Sequence, residues 1–222
     1  MGTITRNAAN NFTTGGVILP AAINDASVAS ISELENAAAG GAMTLISEQT
    51  ASASSSIDFT SGIDSTYPIY QFEFINCHPS TDGAQFSFQV DTGTNTNYNQ
   101  TMTTTFFRTA HNETSGETGF GYVTADDQAQ GTSFQYLSHA GTVGADNDQN
   151  ISGYLQLFNP SSTTFVKHFL STTSASHQSD FEIESFCAGY VNTTTALTRV
   201  RFKFASGNID DGIIKMYGIS GS

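Results

Sequence analysis

Two stretches near the end of the chain decide the fold: ISGYLQLFNPSSTTFVKHFL at residues 151–170 and LTRVRFKFASGNIDDGIIKMYGI at residues 197–219. In both, apolar and polar residues alternate with a period of two, and a turn interrupts the alternation. This periodicity is typical of half-buried β-strands. The side chains predicted to lie in the core from these stretches are Phe158, Phe165, Phe169, Phe202, Phe204 and Met216.

The same alternation recurs from Met43 onward. For example, Tyr70, Phe72 and Phe74 share one face of a predicted strand at residues 69–75. We count about eleven or twelve short strands separated by turn residues, which predicts an all-β, antiparallel, jelly-roll-like β-sandwich over residues 43–222. No internal repeat of a propeller or solenoid is evident.

Residues 1–42 have a different character, rich in Thr, Asn, Gly and Ala. They predict an N-terminal extended arm with a short helix that begins near Asn24-Asp25 and ends at Gly40-Gly41. A helix with so thin an apolar stripe is marginal alone, so it must either pack on its own domain or dock on another subunit. We expect docking, with the arm as an anchor. The anchoring side chains would be Val17, Ile18, Leu19, Val28, Ile31 and Leu34.

The composition excludes several functions. The chain has 20 Asp+Glu against 7 Lys+Arg, a net charge of −13. This balance argues against nucleic acid, which needs a basic footprint, and against an anionic membrane surface. No signal peptide and no membrane-spanning apolar run are apparent, so we expect synthesis in a cytoplasm.

No catalytic constellation stands out. The sequence has no G-x-S-x-G motif and its five histidines are scattered, so we predict no catalytic residues, no cofactor and no metal. Asp146, Asp148 and Asn150 resemble the start of a calcium loop but lack the Gly and Glu of an EF-hand, so calcium stays an alternative to a solvated loop. Cys77 and Cys187 could be buried thiols or one disulfide.

Polar loops between residues 91 and 131 contain the Asn, Thr, Tyr and Gly residues of adaptable recognition surfaces. Asn97, Tyr98, Asn112 and Phe120 are the candidate contacts to a host-surface glycan. Solvated loops without a ligand are the alternative. Arg199, Arg201 and Lys203 line one face of a strand, where they could pair with Glu182 and Glu184.

Five stretches carry a resemblance to a known group of proteins. They are TLISEQTAS at 44–52, IDFTSGIDSTY at 57–67, INCHPSTDG at 75–83, YLQLFNPSS at 154–162 and GNIDDGIIKMYGI at 207–219. In this order they resemble a module of virion proteins of marine tailed phages, found in tail fibres, head fibres and capsid decoration proteins.

The resemblance implies a non-enzymatic bacteriophage virion surface protein, localised to the virion and made in the host cytoplasm. Its partners would be other virion proteins, capsid or tail, bound through residues 1–42, and it would form a homotrimer. The first alternative is a receptor-binding tail-fibre protein that recognises host-surface glycan. The remote alternative is a glycan-degrading enzyme.

Overall fold

The computed structural model describes residues 43–114 and 116–220, which form strands joined by turns and loops. In chain order the strands are β1 (Met43–Thr50), β2 (Ile57–Phe59), β3 (Ile69–Pro79), β4 (Phe86–Thr92), β5 (Met102–Asn112), β6 (Thr118–Tyr122), β7 (Ala129–Gly131), β8 (Gln135–Tyr136), β9 (Ile151–Phe158), β10 (Lys167–His177), β11 (Phe181–Val191), β12 (Leu197–Phe204) and β13 (Ile209–Ile219). Within this part of the chain no helix could span a membrane. The predicted arm and helix of residues 1–42 lie outside the described residues.

The strands form two antiparallel sheets. The large sheet has the order β1-β13-β3-β9-β10-β11-β5-β6, with β7 beside β5, and the small sheet has the order β2-β12-β4-β8. The alternation in the sequence explains the two faces. In β3, for instance, Tyr70, Phe72 and Phe74 are buried between the sheets, whereas Gln71 and Glu73 lie on the outer face.

Eight of the strands form a jelly roll. Along the chain β1, β3, β9 and β13 belong to the large sheet, and β2, β4, β8 and β12 belong to the small one. Their orders, β1-β13-β3-β9 and β2-β12-β4-β8, are those of two interlocked Greek keys. The predicted jelly-roll-like antiparallel sandwich is therefore confirmed.

Two insertions widen the large sheet. One inserts β5, β6 and β7 between β4 and β8, and the other inserts β10 and β11 between β9 and β12. All five inserted strands continue the sheet beyond β9, and we call them the extension. Because the small sheet stays four strands wide, part of the inner face of the extension is covered by the connection from β8 to β9, where the Thr173 hydroxyl of β10 donates to the Leu137 carbonyl at 2.6 Å.

Aromatic rings fill the space between the sheets. Phe202 of β12 is fully buried, and its ring centroid lies 5.0–6.3 Å from those of five other rings. These neighbours are Phe59, Phe72, Phe74, Phe86 and Phe88. Burying each such ring stabilises the fold by about 2–3 kcal/mol, and the edge-on contacts add to this.

Four of the six predicted core residues from the two opening stretches are buried: Phe169, Phe202, Phe204 and Met216. The other two predictions were wrong. Phe158 is only half-buried at the end of β9, and Phe165 is 69% exposed. Phe165 lies in the turn between β9 and β10, which carries its side chain away from the core.

Candidate functional site

Two adjoining cavities lie at one end of the extension. They are formed by the β10–β11 turn, the β5–β6 hairpin and the long connection from β8 to β9. One has a volume of about 400 Å³ and the other about 270 Å³, and both are lined by His177 and Phe181. Adjoining cavities with convergent polar groups are the usual form of a small-molecule site.

The larger cavity is acidic. Asp146 and Asp148 enter it from the β8–β9 connection, and Asp180 and Glu182 enter it from the β10–β11 hairpin. The loop is held by its own hydrogen bonds, since the Gln149 amide donates to the Asp146 carbonyl at 2.8 Å. Among the residues described, no group of three His, Cys, Asp or Glu side chains could hold a metal ion.

The smaller cavity has a mixed lining. Its polar side chains are those of Arg108, Glu117, Thr118, His139 and His177. Apolar side chains from β5, β11 and the β8–β9 connection form the remainder: Ala110, Ala140, Phe181 and Ile183. A cationic group beside an aromatic ring suits a ligand that has both an acidic group and an apolar face.

A buried carboxylate fixes His139. Its Nδ1 lies 2.6 Å from Oδ2 of Asp126. Asp126 is 2% exposed, and its Oδ1 accepts a bond from Gln85 Nε2 at 3.1 Å. The backbone of Asp126 is fixed as well, because the Gln135 side-chain amide donates to its backbone carbonyl at 2.7 Å. With Nδ1 occupied, Nε2 is the nitrogen of His139 left for a ligand.

His177 is held in its neutral form. The Ser179 amide donates to His177 Nδ1 at 3.0 Å, which requires that this nitrogen carry no proton. Burial lowers the pKa of His177 first, and repulsion from His139 and Arg108 lowers it further, while Asp82 acts in the opposite direction. The ring therefore offers hydrogen bonding to a ligand without a permanent charge.

Arg108 supplies the guanidinium of the smaller cavity, and like Lys167, Arg199 and Lys203 it lies in no ion pair among the described residues. The ion pairs among the described residues join His139 to Asp126, Arg201 to Asp58 and Lys215 to Glu48, and Arg108 takes part in none of them. Its guanidinium therefore has its donors available to a ligand that enters the cavity.

Asp126 and His139 are placed like the acid and base of a hydrolase. Within residues 43–114 and 116–220 no hydroxyl bonds to a histidine nitrogen. The smaller cavity thus combines one guanidinium and two imidazoles.

The four predicted glycan contacts do not form one site. Asn97 and Tyr98 precede β5, whereas Asn112 ends this 11-residue strand, so the two pairs are about 30 Å apart. Asn112 and Phe120 lie on the hairpin that borders the cavities. The Asn112 side-chain oxygen accepts bonds from the Gly116 and Glu117 amides, so it stabilises the hairpin turn.

Tyr98 cannot act as a platform for a sugar ring. It is 2% exposed, and the Arg201 guanidinium lies 4.1 Å above its ring. Its amide donates to Oδ2 of Asp91 at 2.8 Å, which holds the loop against the small sheet. The prediction of a glycan contact at Tyr98 is therefore corrected to a structural role.

The basic side chains of strand β12 contact residues other than those predicted. Arg201 donates to both carboxylate oxygens of Asp58 on β2, and Lys203 lies 4.8 Å from the centre of the Phe134 ring. The predicted pairing with Glu182 and Glu184 is wrong because these residues belong to β11 in the other sheet.

Both cysteines are buried free thiols, so the disulfide alternative is excluded. Burial raises the pKa of Cys77 to about 12 and raises that of Cys187 further. Neither thiol is a nucleophile at neutral pH, because the thiolate is the reactive form.

Reasoning from the sequence did not find Arg108, Asp126, His139 and His177. They come from four segments that are distant along the chain, and no fixed spacing links them. The one available signal was the scarcity of basic residues, which makes an Arg such as Arg108 worth attention. The six predicted anchoring residues, Val17 to Leu34, lie outside the described part of the chain.

Comparisons of the chain with protein families, with curated proteins and with solved structures found no match. Functional inference therefore depends on the topology and on the site itself.

Proposed function

We propose that the protein is a non-enzymatic surface protein of a bacteriophage virion, anchored by residues 1–42 and displaying the jelly-roll sandwich outward. The observation that carries the proposal is the topology: a jelly roll whose insertions all widen one sheet. Jelly rolls are a common architecture of viral capsid and lectin domains. A wide sheet with loops at its ends presents a large surface for recognition without requiring catalytic groups.

The composition supports the same proposal. A net charge of −13 spread over few charged residues keeps many copies soluble beside one another. The dense aromatic core and two buried thiols need no disulfide for stability, as suits a protein folded in a host cytoplasm.

The experiment is to locate and count the protein on purified phage particles. Quantitative mass spectrometry should detect it, and antibody labelling in electron micrographs should place it on the head or the tail. Hundreds of copies on the head would indicate decoration, and tens or fewer on the tail would indicate a fibre or knob. Absence from washed particles would overturn the proposal.

The two cavities favour a second candidate, a receptor-binding protein for host-surface glycan. The unpaired Arg108 guanidinium beside Phe181 suits a saccharide that carries a carboxylate. A glycan array probed with the full chain should show binding to acidic saccharides and not to their neutral counterparts.

The variant Arg108→Ala should abolish that binding. Arg199→Ala is a matched control, because Arg199 bonds to the Gly93 carbonyl in the small-sheet region, far from the cavities. Equal loss in both variants, or binding that Arg108→Ala leaves intact, would overturn the receptor role.

A further inference from the structure

Among the residues that the structure describes, strand β6 is unpaired on one side and so forms an edge of the large sheet; its sequence is Thr-Gly-Phe-Gly-Tyr. It contains no charge and no proline, and its alternate residues are glycine. Natural edge strands usually carry charges, prolines or bulges that prevent pairing with another chain. At the opposite edge, β1 has such protection, since it contains Glu48 and a register shift between Leu45 and Ser47.

The hydrogen-bond pattern shows which groups β6 leaves free. The Val123 amide donates to the Phe106 carbonyl at 2.9 Å, and the Asn112 amide donates to the Glu117 carbonyl at 3.1 Å. These bonds flank the pairs Phe107–Tyr122 and His111–Thr118, which are therefore non-hydrogen-bonded pairs of the ladder. The backbone hydrogen bonds from β6 to β5 are therefore made by Gly119 and Gly121.

The amides and carbonyls of Thr118, Phe120 and Tyr122 consequently point away from β5 toward the open edge. The same three side chains lie on the outer face of the sheet. Phe120 is 78% exposed and Tyr122 is 55% exposed. Phe120 contacts Phe107 edge-on at 5.9 Å, and Phe107 stacks on Phe186 at 4.7 Å, so the apolar face continues inward across β5 and β11.

We propose that β6 pairs antiparallel with β6 of a second copy, so that the large sheet continues through a symmetric dimer. The strand is self-complementary about Phe120. With the two-fold axis at this residue, Thr118 faces Tyr122 of the second copy and the two Phe120 residues face each other. These three bonded pairs would form about six backbone hydrogen bonds.

The absence of charge in β6 makes this edge compatible with a second copy of the same chain. Two chains of charge −13 repel, so an interface between them must avoid opposing carboxylates. In this register Glu117 faces Val123 of the second copy, and no two acidic residues within β6 face each other. The glycines also leave space, since a Cβ at Gly121 would meet no atom within 4 Å.

The test is the molar mass of the full chain in solution, measured by sedimentation equilibrium over a range of concentrations. The wild-type protein should reach twice the chain mass of 23.6 kDa. A monomer at the highest concentration, or the trimer predicted from the sequence, would overturn the proposal.

The decisive variant is Phe120→Pro. Proline removes an outward-facing amide together with the exposed phenyl ring, and the bonds from β6 to β5 remain possible because Gly119 and Gly121 make them. Two intermolecular bonds are lost by symmetry, and the dissociation constant should rise by about tenfold or more. Phe165→Pro is the control, because Phe165 is a similarly exposed aromatic residue in a turn outside β6. Unchanged dimerisation of Phe120→Pro would exclude pairing through β6.

Hydrogen exchange gives a readout that does not depend on a variant. The amides of Thr118, Phe120 and Tyr122 should gain protection as the protein concentration rises, whereas those of Gly119 and Gly121 should be protected at all concentrations. Uniform exchange along β6 would contradict the proposal. These outcomes are independent of whether the protein occurs on a phage particle.

Discussion

Two glycines in the extension differ sharply in whether they can be replaced by a residue with a side chain. Gly189 of β11 and Gly119 of β6 are both strand glycines, but their surroundings are opposite. A Cβ at Gly189 would lie 2.6 Å from the Thr103 carbonyl oxygen and 3.0 Å from the Thr104 Cα, whereas the nearest atom to a Cβ at Gly119 is 3.9 Å away. The first contact is with backbone, which cannot move without disturbing the ladder.

We therefore expect Gly189→Ala to lower the free energy of unfolding by about 2 kcal/mol or more. Gly119→Ala should change it by less than about 0.5 kcal/mol. Urea denaturation followed by circular dichroism measures both. Equal effects of the two substitutions would show that β11 and β5 are not packed as closely as the structure has them.

The titration of His177 should make the free energy of unfolding depend on pH. Its pKa in the folded protein lies below the ordinary value of 6.5, because burial first, and then repulsion from His139 and Arg108, disfavour the charged form. Protons therefore bind more readily to the unfolded chain. The contribution of the neutral His177 ring to the free energy of unfolding is therefore complete above about pH 6.5. It is lost as the pH falls from that value toward the folded pKa.

The variant His177→Gln should lose this part of the pH dependence. Unfolding free energies at about pH 7.5 and pH 5.5 should differ less in the variant than in the wild type. An NMR titration of the wild-type ring checks the cause directly, since it should give a pKa below the ordinary one. A pKa above it would contradict the predicted direction.

Among the elements, β10 contains a buried cation that joins it to the β11–β12 connection. Lys167 is 0% exposed, and its Nζ donates to the carbonyls of Thr193 and Thr195 at 3.0 and 2.8 Å. Burial lowers the pKa of this amine. Its aliphatic stem fills space near the core, while its ammonium head donates to the two loop carbonyls.

We expect Lys167→Ala to destabilise the protein by about 2–4 kcal/mol, through a cavity and two unpaired carbonyls. Lys167→Met keeps the volume and should cost less. Lys203→Ala, which removes only an ammonium over the Phe134 ring, should cost about 1 kcal/mol or less. Thermal unfolding of the three variants tests this order, and a Lys203→Ala effect as large as that of Lys167→Ala would contradict it.

The elements also show what could be read from the sequence. Strand β3 begins at the predicted residue 69, because apolar and polar residues alternate cleanly there, and it continues past the predicted end at residue 75 to Pro79. The short strand β7 was not predicted, since its three residues have no apolar periodicity. Strand pairing was not predictable either: β5 pairs with β11, which is about eighty residues further along the chain, and no local signal encodes such a contact.

The site was less predictable than the fold for the same reason. Asn112 and Phe120 lie near the cavities because they belong to one hairpin, and a hairpin is local in sequence. The pairing of His139 with Asp126 joins the β8–β9 connection to the β6–β7 connection. Tyr98 was misassigned because exposure in a polar loop was assumed, whereas Asp91 and Arg201 hold it inward.

At the scale of the whole molecule, residues 42–222 form one compact unit with its own aromatic core. Such a unit should fold without the preceding residues. A chain that begins at Met43 should therefore keep the far-ultraviolet circular dichroism of a β protein and a cooperative unfolding transition. Failure to fold would show that residues 1–42 contribute to the core.

The same truncation tests the anchoring role proposed for residues 1–42. If these residues bind a particle protein, the full chain should associate with particles that lack it, and the chain from Met43 should not. A full-length variant with Val28, Ile31 and Leu34 all changed to Ser separates the predicted apolar stripe from the mere length of the arm. This variant should bind at least about tenfold more weakly, because three apolar contacts are lost. Equal binding by the truncated chain would place the anchor in the sandwich instead.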